Sequence, residues 1–130
     1  MAGSQADPVP FGCRIVCDTQ LSGPASHDGA GNRFVLFPPA IDGFDYALDV
    51  ERRDAPLPEF LTALIGPLGL KAWGEIEVVA KLLNVPAHLV LRRYLAEGLP
   101  AILERESIEI ARSDTITHWR VVGRCRADGS

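Results

Sequence analysis

Residues 76–98, running from Ile76 to Gly98, read as two amphipathic helices joined by a tight turn that opens at Asn84. No other stretch restricts the fold as strongly. Two short helices that cross closely must share one apolar seam, and the far side of the second is then turned outward. On the first helix, expected from about Trp73 to Leu83, the residues Ile76, Val79, Ala80 and Leu83 follow the i, i+3, i+4, i+7 spacing of a single stripe. Val78 and Leu82 fall roughly opposite, so this helix needs cover on two sides, from the acidic β segment before it or from a second subunit. On the second, expected from Pro86 to Glu97, Val90, Leu91, Tyr94 and Leu95 span about 140° of arc, with Leu89, Arg92, Arg93 and Ala96 on the other side. Gly98 is placed to end it in the left-handed conformation that glycine tolerates best.

The chain on either side supplies strands and one more helix. Phe11 to Cys17, Arg33 to Phe37 and Phe44 to Glu51 are expected strands, the last with Phe44, Tyr46, Leu48 and Val50 alternating against Asp45, Ala47, Asp49 and Glu51. The simplest reading makes Asp45, Asp49, Glu51 and Asp54 the wet side of that strand and its exit. Leu21 to Asn32 is rich in Gly, Ser and Pro and reads as a hairpin loop; it lacks the Gly-Lys-Ser/Thr of a phosphate loop. Asp54 to Glu59 starts a helix that should bury Phe60, Leu61, Leu64 and Ile65 and stop at Gly66-Pro67. After Leu99-Pro100 the pattern returns to strand: Ile108 and Ile110, then Thr117, Trp119 and Val121, with the turn at Ser113-Asp114. The expected class is α+β, a small N-terminal antiparallel β segment followed by a three-helix plus β-hairpin unit. One compact domain is expected, divided into a disordered tail over 1–10, an acidic β segment over 11–54, the helical and hairpin region over 55–123, and a frayed tail over 124–130.

Size and charge narrow the function. With 130 residues and 47% hydrophobic content the chain can bury roughly two-thirds of its unfolded surface around one core. Residues 1–70 carry four Arg or Lys against nine Asp or Glu, and residues 71–130 carry nine against eight. An acidic whole disfavours nonspecific attraction to nucleic acid while leaving room for a local basic face. No apolar run approaches the ~20 residues that span a bilayer, and Met1 to Pro10 lacks the features of a secretory signal, so no membrane partner and a cytoplasmic location are expected. Cys13, Cys17 and Cys125 are an odd set, which fits a reducing compartment. On one strand at about 3.3 Å per residue, the sulfurs of Cys13 and Cys17 would sit roughly 13 Å apart, too far to share an ion. No metal and no cofactor are expected.

Residues 76–101 resemble the winged helix-turn-helix of the MerR and phage-excisionase type. Ala80 in the first helix, Val85 at the turn, Val90 and Arg92 in the second helix, and the exit Glu97-Gly98-Leu99-Pro100-Ala101 carry the resemblance. The sequence departs from that pattern at Asn84, where glycine is usual, in a longer second helix, and in Leu89 on the face that should meet DNA. The resemblance implies a winged helix-turn-helix-like region over 55–123, with the second helix in the major groove and His88, Leu89, Arg92 and Arg93 at the contact. Arg112, His118 and Arg120 on the hairpin, and Arg124 and Arg126 beyond it, would follow the neighbouring phosphates. The role implied is that of a small DNA-binding regulator.

The alternative is a protein-interaction module of the inhibitor, antitoxin or adaptor type. An exposed Leu89 flanked by arginines suits a protein interface, and the acidic strand would hold a basic partner; a homodimer is a separate expectation. The acidic strand could equally mask the basic hairpin, in which case a chain beginning at Leu57 would bind DNA more tightly. An enzyme is not expected, because no local spacing assembles a nucleophile with a base, paired carboxylates or a metal set. His27 with Asp28 is the nearest approach to one.

Overall fold

The computed structural model describes residues 6–17, 20–39, 42–66 and 69–127. In chain order these form β1 (Ala6–Pro8), β2 (Arg14–Cys17), β3 (Ala25–His27), β4 (Arg33–Phe37), β5 (Phe44–Arg52), α1 (Glu59–Ile65), α2 (Gly69–Leu83), α3 (Ala87–Glu97), α4 (Leu99–Glu106), β6 (Ile108–Arg112) and β7 (His118–Arg126). A short 3-10 turn, Pro10–Gly12, separates the first two strands. The class is α+β, with two antiparallel sheets ordered β1-β2-β4-β3 and β5-β7-β6.

The layers follow from alternation along β5. Side chains of a strand alternate between faces, and here both faces are covered. Leu48 and Val50, with Val122 of β7, meet Ile15, Phe34 and Leu36 of the first sheet and Cys13 just before β2. On the opposite face Ala47 and Val121 receive Val78 of α2, with Leu82 and Ile110 packed alongside. The double cover expected for Val78 is therefore supplied within the chain, by β5 and β7. A third cluster joins the helices: Ile76, Val79 and Ala80 of α2, Leu61 of α1, Val90 and Leu91 of α3, Ile102 of α4 and Ile108 of β6.

Helix α2 lies very close to the sheet, and glycine makes the approach possible. A Cβ on Gly123 would stand 2.4 Å from Val78 Cγ1 and 3.1 Å from Leu82 Cδ1. Farther along, a Cβ on Gly74 of α2 would stand 3.0 Å from Asp49 Oδ2.

Several expectations are corrected. Part of the tail expected to be disordered forms β1, paired with β2; residues 1–5 lie outside the described residues. Phe11 belongs to the 3-10 turn at φ 66°, and β2 begins only at Arg14. The segment after Gly98 does not go straight to strand: Leu99–Glu106 is a fourth helix, opened by Pro100, whose fixed φ suits a first turn. Strand β7 continues to Arg126 because β5 and β6 pair with it on both sides as far as Cys125, so residues 124–126 do not fray; residues 128–130 lie outside the described ones. In α1 only Leu61 is fully buried, while Phe60 and Leu64 remain 64% and 48% exposed. Seven residues against α2 present too narrow a contact to cover them.

Candidate functional site

Helix α2 and helix α3 meet at a turn held by Asn84 at φ 57°, a left-handed conformation that Asn adopts more readily than most residues. The Val85 N–H donates to Ala80 O at 3.1 Å, closing the turn, and Pro86 then caps α3 from an extended conformation. Val90 and Leu91 face inward. His88, Leu89, Arg92, Arg93, Leu95 and Ala96 are exposed. At 100° per residue, Leu89 and Leu95 lie on either side of Arg92 around the helix, and they are 39% and 48% exposed. Leu95 had been expected to face the seam; the seam closes around Val90, Leu91 and Tyr94 instead.

Charge on this surface is largely paired. Arg93 Nη1 donates to Glu106 at 3.0 Å, and Arg105 of α4 grips Glu97 through two hydrogen bonds. The Arg105 guanidinium holds the Glu97 carboxyl below the usual range. Among the described residues, no ion pair engages the exposed basic side chains of Arg92 and His88 on α3.

The three hairpin residues expected beside them lie elsewhere. Arg112 donates to Asp114 at 2.9 Å and to Glu75 of α2 at 2.8 Å, which ties β6 to the helix layer. Arg120 is buried, with Nε donating to Ser113 O at 2.6 Å and Nη2 to Ser113 Oγ at 2.9 Å. His118 faces the first sheet, where its ring packs edge-on against Phe34 and its Nε2 lies 3.0 Å from Asp28 Oδ2. Of the seven residues singled out, α3 thus brings together His88, Leu89, Arg92 and Arg93, while Arg112, His118 and Arg120 are engaged inside the molecule. Arg124 is engaged as well, through Glu109 and the rings of Phe11 and Phe44.

The Asp28 contact was not legible locally. His27 and Asp28 are adjacent in sequence, but His27 ends β3 with its side chain exposed, while Asp28, just past the strand, turns inward. Asp28 is buried, and its Oδ1 accepts from the N–H groups of Ala30 at 2.8 Å and Asn32 at 3.2 Å. Burial opposes its charge; His118 and these donors outweigh it and hold the carboxyl far below its ordinary value. On the other side of the imidazole, Thr117 Oγ1 lies 2.8 Å from Nδ1. Hydroxyl, imidazole and carboxylate therefore stand in line, the order of an acyl-transfer nucleophile. That chemistry also needs free donors beside the hydroxyl, whereas the N–H groups of both Thr117 and His118 already donate to Thr115 Oγ1. The chain of bonds locks the β6–β7 loop onto the β3–β4 hairpin.

No family model, curated protein or solved structure matches this chain.

A second buried acid sits between β5 and α2. Asp49, expected on a wet face, is 5% exposed because α2 covers that face of the sheet. Its Oδ2 has no hydrogen-bond donor, and its Oδ1 lies 3.9 Å from Lys81 Nζ. That ammonium is spent mainly on the backbone, donating to Leu48 O at 2.6 Å and Ala25 O at 3.3 Å. Burial pushes the Asp49 carboxyl up to about 8, Glu51 and Glu77 add to the shift, and Lys81 opposes it. Protonated, Asp49 becomes a donor, and Glu51 is the carboxylate beside it. Burial raises Glu51 too. The acids of β5 are in this way mostly structural, and the strand offers a basic partner little beyond Asp45.

Proposed function

We propose that this chain is a binding module that works through the outward face of α3, and that the occupant of that face is a protein. The observation that carries the reading is the exposure of Leu89 and Leu95 on either side of Arg92, on a helix whose other arginine is paired with Glu106. Apolar anchors around an arginine suit the centre of a protein interface, where Arg is enriched and charge in general is depleted. The complementary surface is an apolar pocket rimmed by carboxylates. The module acts in a reducing setting, the cytoplasm, in keeping with its odd number of cysteines. No helix among the described residues is long and apolar enough to cross a membrane.

The test is affinity capture from the native lysate with nuclease present, followed by titration of the recovered partner. Leu89→Asp and Arg92→Ala should each weaken that partner about tenfold or more, with unchanged thermal unfolding of the module. A partner lost on nuclease treatment, or indifferent to both substitutions, refutes the reading.

DNA is the second reading, favoured by one observation: the tight turn at Asn84 leaves His88, Arg92 and Arg93 exposed together on α3. It predicts a gel shift on genomic fragments that weakens in Arg92→Ala/Arg93→Ala and falls steeply with salt. With Arg112, His118 and Arg120 engaged internally, the salt dependence should correspond to about two or three phosphates rather than the five to eight that α3 and a basic hairpin would contact together.

A further inference from the structure

The geometry points to a second ligand site, away from α3, that takes a small organic anion with a compact apolar body. Between the β5–α1 connection and the start of α2 lies a cavity of about 240 Å³ walled by Arg53, Leu57, Thr62, Lys71 and Trp119. This is below the roughly 300–1,000 Å³ typical of pockets for larger ligands, so the occupant is small.

Charge decides the sign of that occupant. Three cations surround the Trp119 indole: the Arg53 guanidinium at 3.9 Å from the ring centroid, Lys71 Nζ at 5.3 Å and the Arg112 guanidinium at 5.9 Å. Arg112 is neutralised by Glu75 and Asp114. Arg53 and Lys71 are not; among the described residues their side chains form no ion pair. Asp114 feels Lys71 at longer range, yet its oxygens already accept from Arg112 and from the Arg120 N–H. Two uncompensated positive charges therefore line one small cavity of a molecule with net charge −4. The ring quadrupole steadies them, and an anion placed between them gains from both.

The walls decide the rest of the ligand. Leu57 and the indole edge offer apolar surface, and the Thr62 hydroxyl, which donates to Pro58 O over a long 3.4 Å, supplies a polar group. A bare inorganic anion would leave that apolar surface unused. A carboxylate on a small ring or branched chain would use both parts.

Trp119 makes the test direct. In a Trp73→Phe background its emission reports the cavity, with benzoate as the probe and benzyl alcohol and inorganic phosphate as controls. Benzoate should give a saturable change, with affinity about tenfold or more weaker in Arg53→Gln/Lys71→Gln. Benzyl alcohol should not saturate, and phosphate should bind more weakly than benzoate. In the unsubstituted protein the Trp119 indole N–H resonance should shift along the same benzoate curve, which keeps the test valid if a variant folds poorly. The site is refuted by an absent benzoate response, by equal affinity in the double variant, or by a shift at Trp73 in place of Trp119. Phosphate binding as tightly as benzoate refutes the apolar part of the ligand. Neither result depends on what α3 binds.

Discussion

Asp49 and Gly123 show how much one position contributes when two layers meet over it. Asp49 carries a proton in the folded chain up to about pH 8 and releases it near its ordinary value of about 4 when unfolded. Between those values the folded state holds the extra proton, so stability falls as pH rises through that window and levels off above it. Asp49→Asn keeps a donor beside Glu51 and removes the charge. At pH 9 it should be more stable than the natural chain by about 1–3 kcal/mol, the cost of a buried unsatisfied acceptor, and urea denaturation at pH 5, 7 and 9 should show a shallower pH slope, with Glu51 supplying what remains. Gly123→Ala should act in the opposite direction, because its Cβ would meet Val78 Cγ1 at 2.4 Å. A loss of about 1–3 kcal/mol is expected. Val78→Ala in the same chain should return part of that loss, and a double-mutant cycle by chemical denaturation measures the coupling.

At the scale of elements, the turn between α2 and α3 sets what α3 displays. Asn84 holds φ 57°, so Asn84→Val should cost about 1–2 kcal/mol and Asn84→Gly should be nearly neutral, as read from denaturation midpoints. The turn was legible because positive φ restricts residue choice. Leu95 was not, since a helical wheel gives its angle but not where the partner helix stops. α4 was missed for a related reason: eight residues after Gly98-Leu99-Pro100 are too few to establish a period. β5 was read to within one residue, because the alternation from Phe44 to Glu51 fits a strand and no helical period.

At the scale of the whole molecule, β5 joins the acidic N-terminal half to the helices. It pairs with β7 along its full length, from Phe44 opposite Arg126 to Arg52 opposite His118, and contributes to the cores on both its faces. A chain beginning at Leu57 should therefore lose cooperative thermal unfolding by circular dichroism, rather than expose a basic hairpin. The first sheet is fastened by the Asp28–His118 contact and by Ser26 Oγ, which accepts from the Val50 N–H at 2.9 Å. Asp28→Ala leaves His118 and the N–H groups of Ala30 and Asn32 without their acceptor. It should cost about 1–3 kcal/mol at pH 7, measured by the denaturation midpoint.

Local order was written in the sequence: the strand alternation of Phe44 to Glu51, the crossing of two helices after Asn84, the stop at Gly98 and the α+β class all follow from periods of two and 3.6 and from residues that tolerate unusual φ. Periodicity says which residues share a face, but it carries no information on what lies against that face. Only the tertiary structure placed α2 over Asp49, turned Arg120 and His118 inward, and brought Arg53, Lys71 and Trp119 around one cavity. Those contacts join residues far apart in the chain, and their energies arise from desolvation and charge pairing that exist only once the layers have closed.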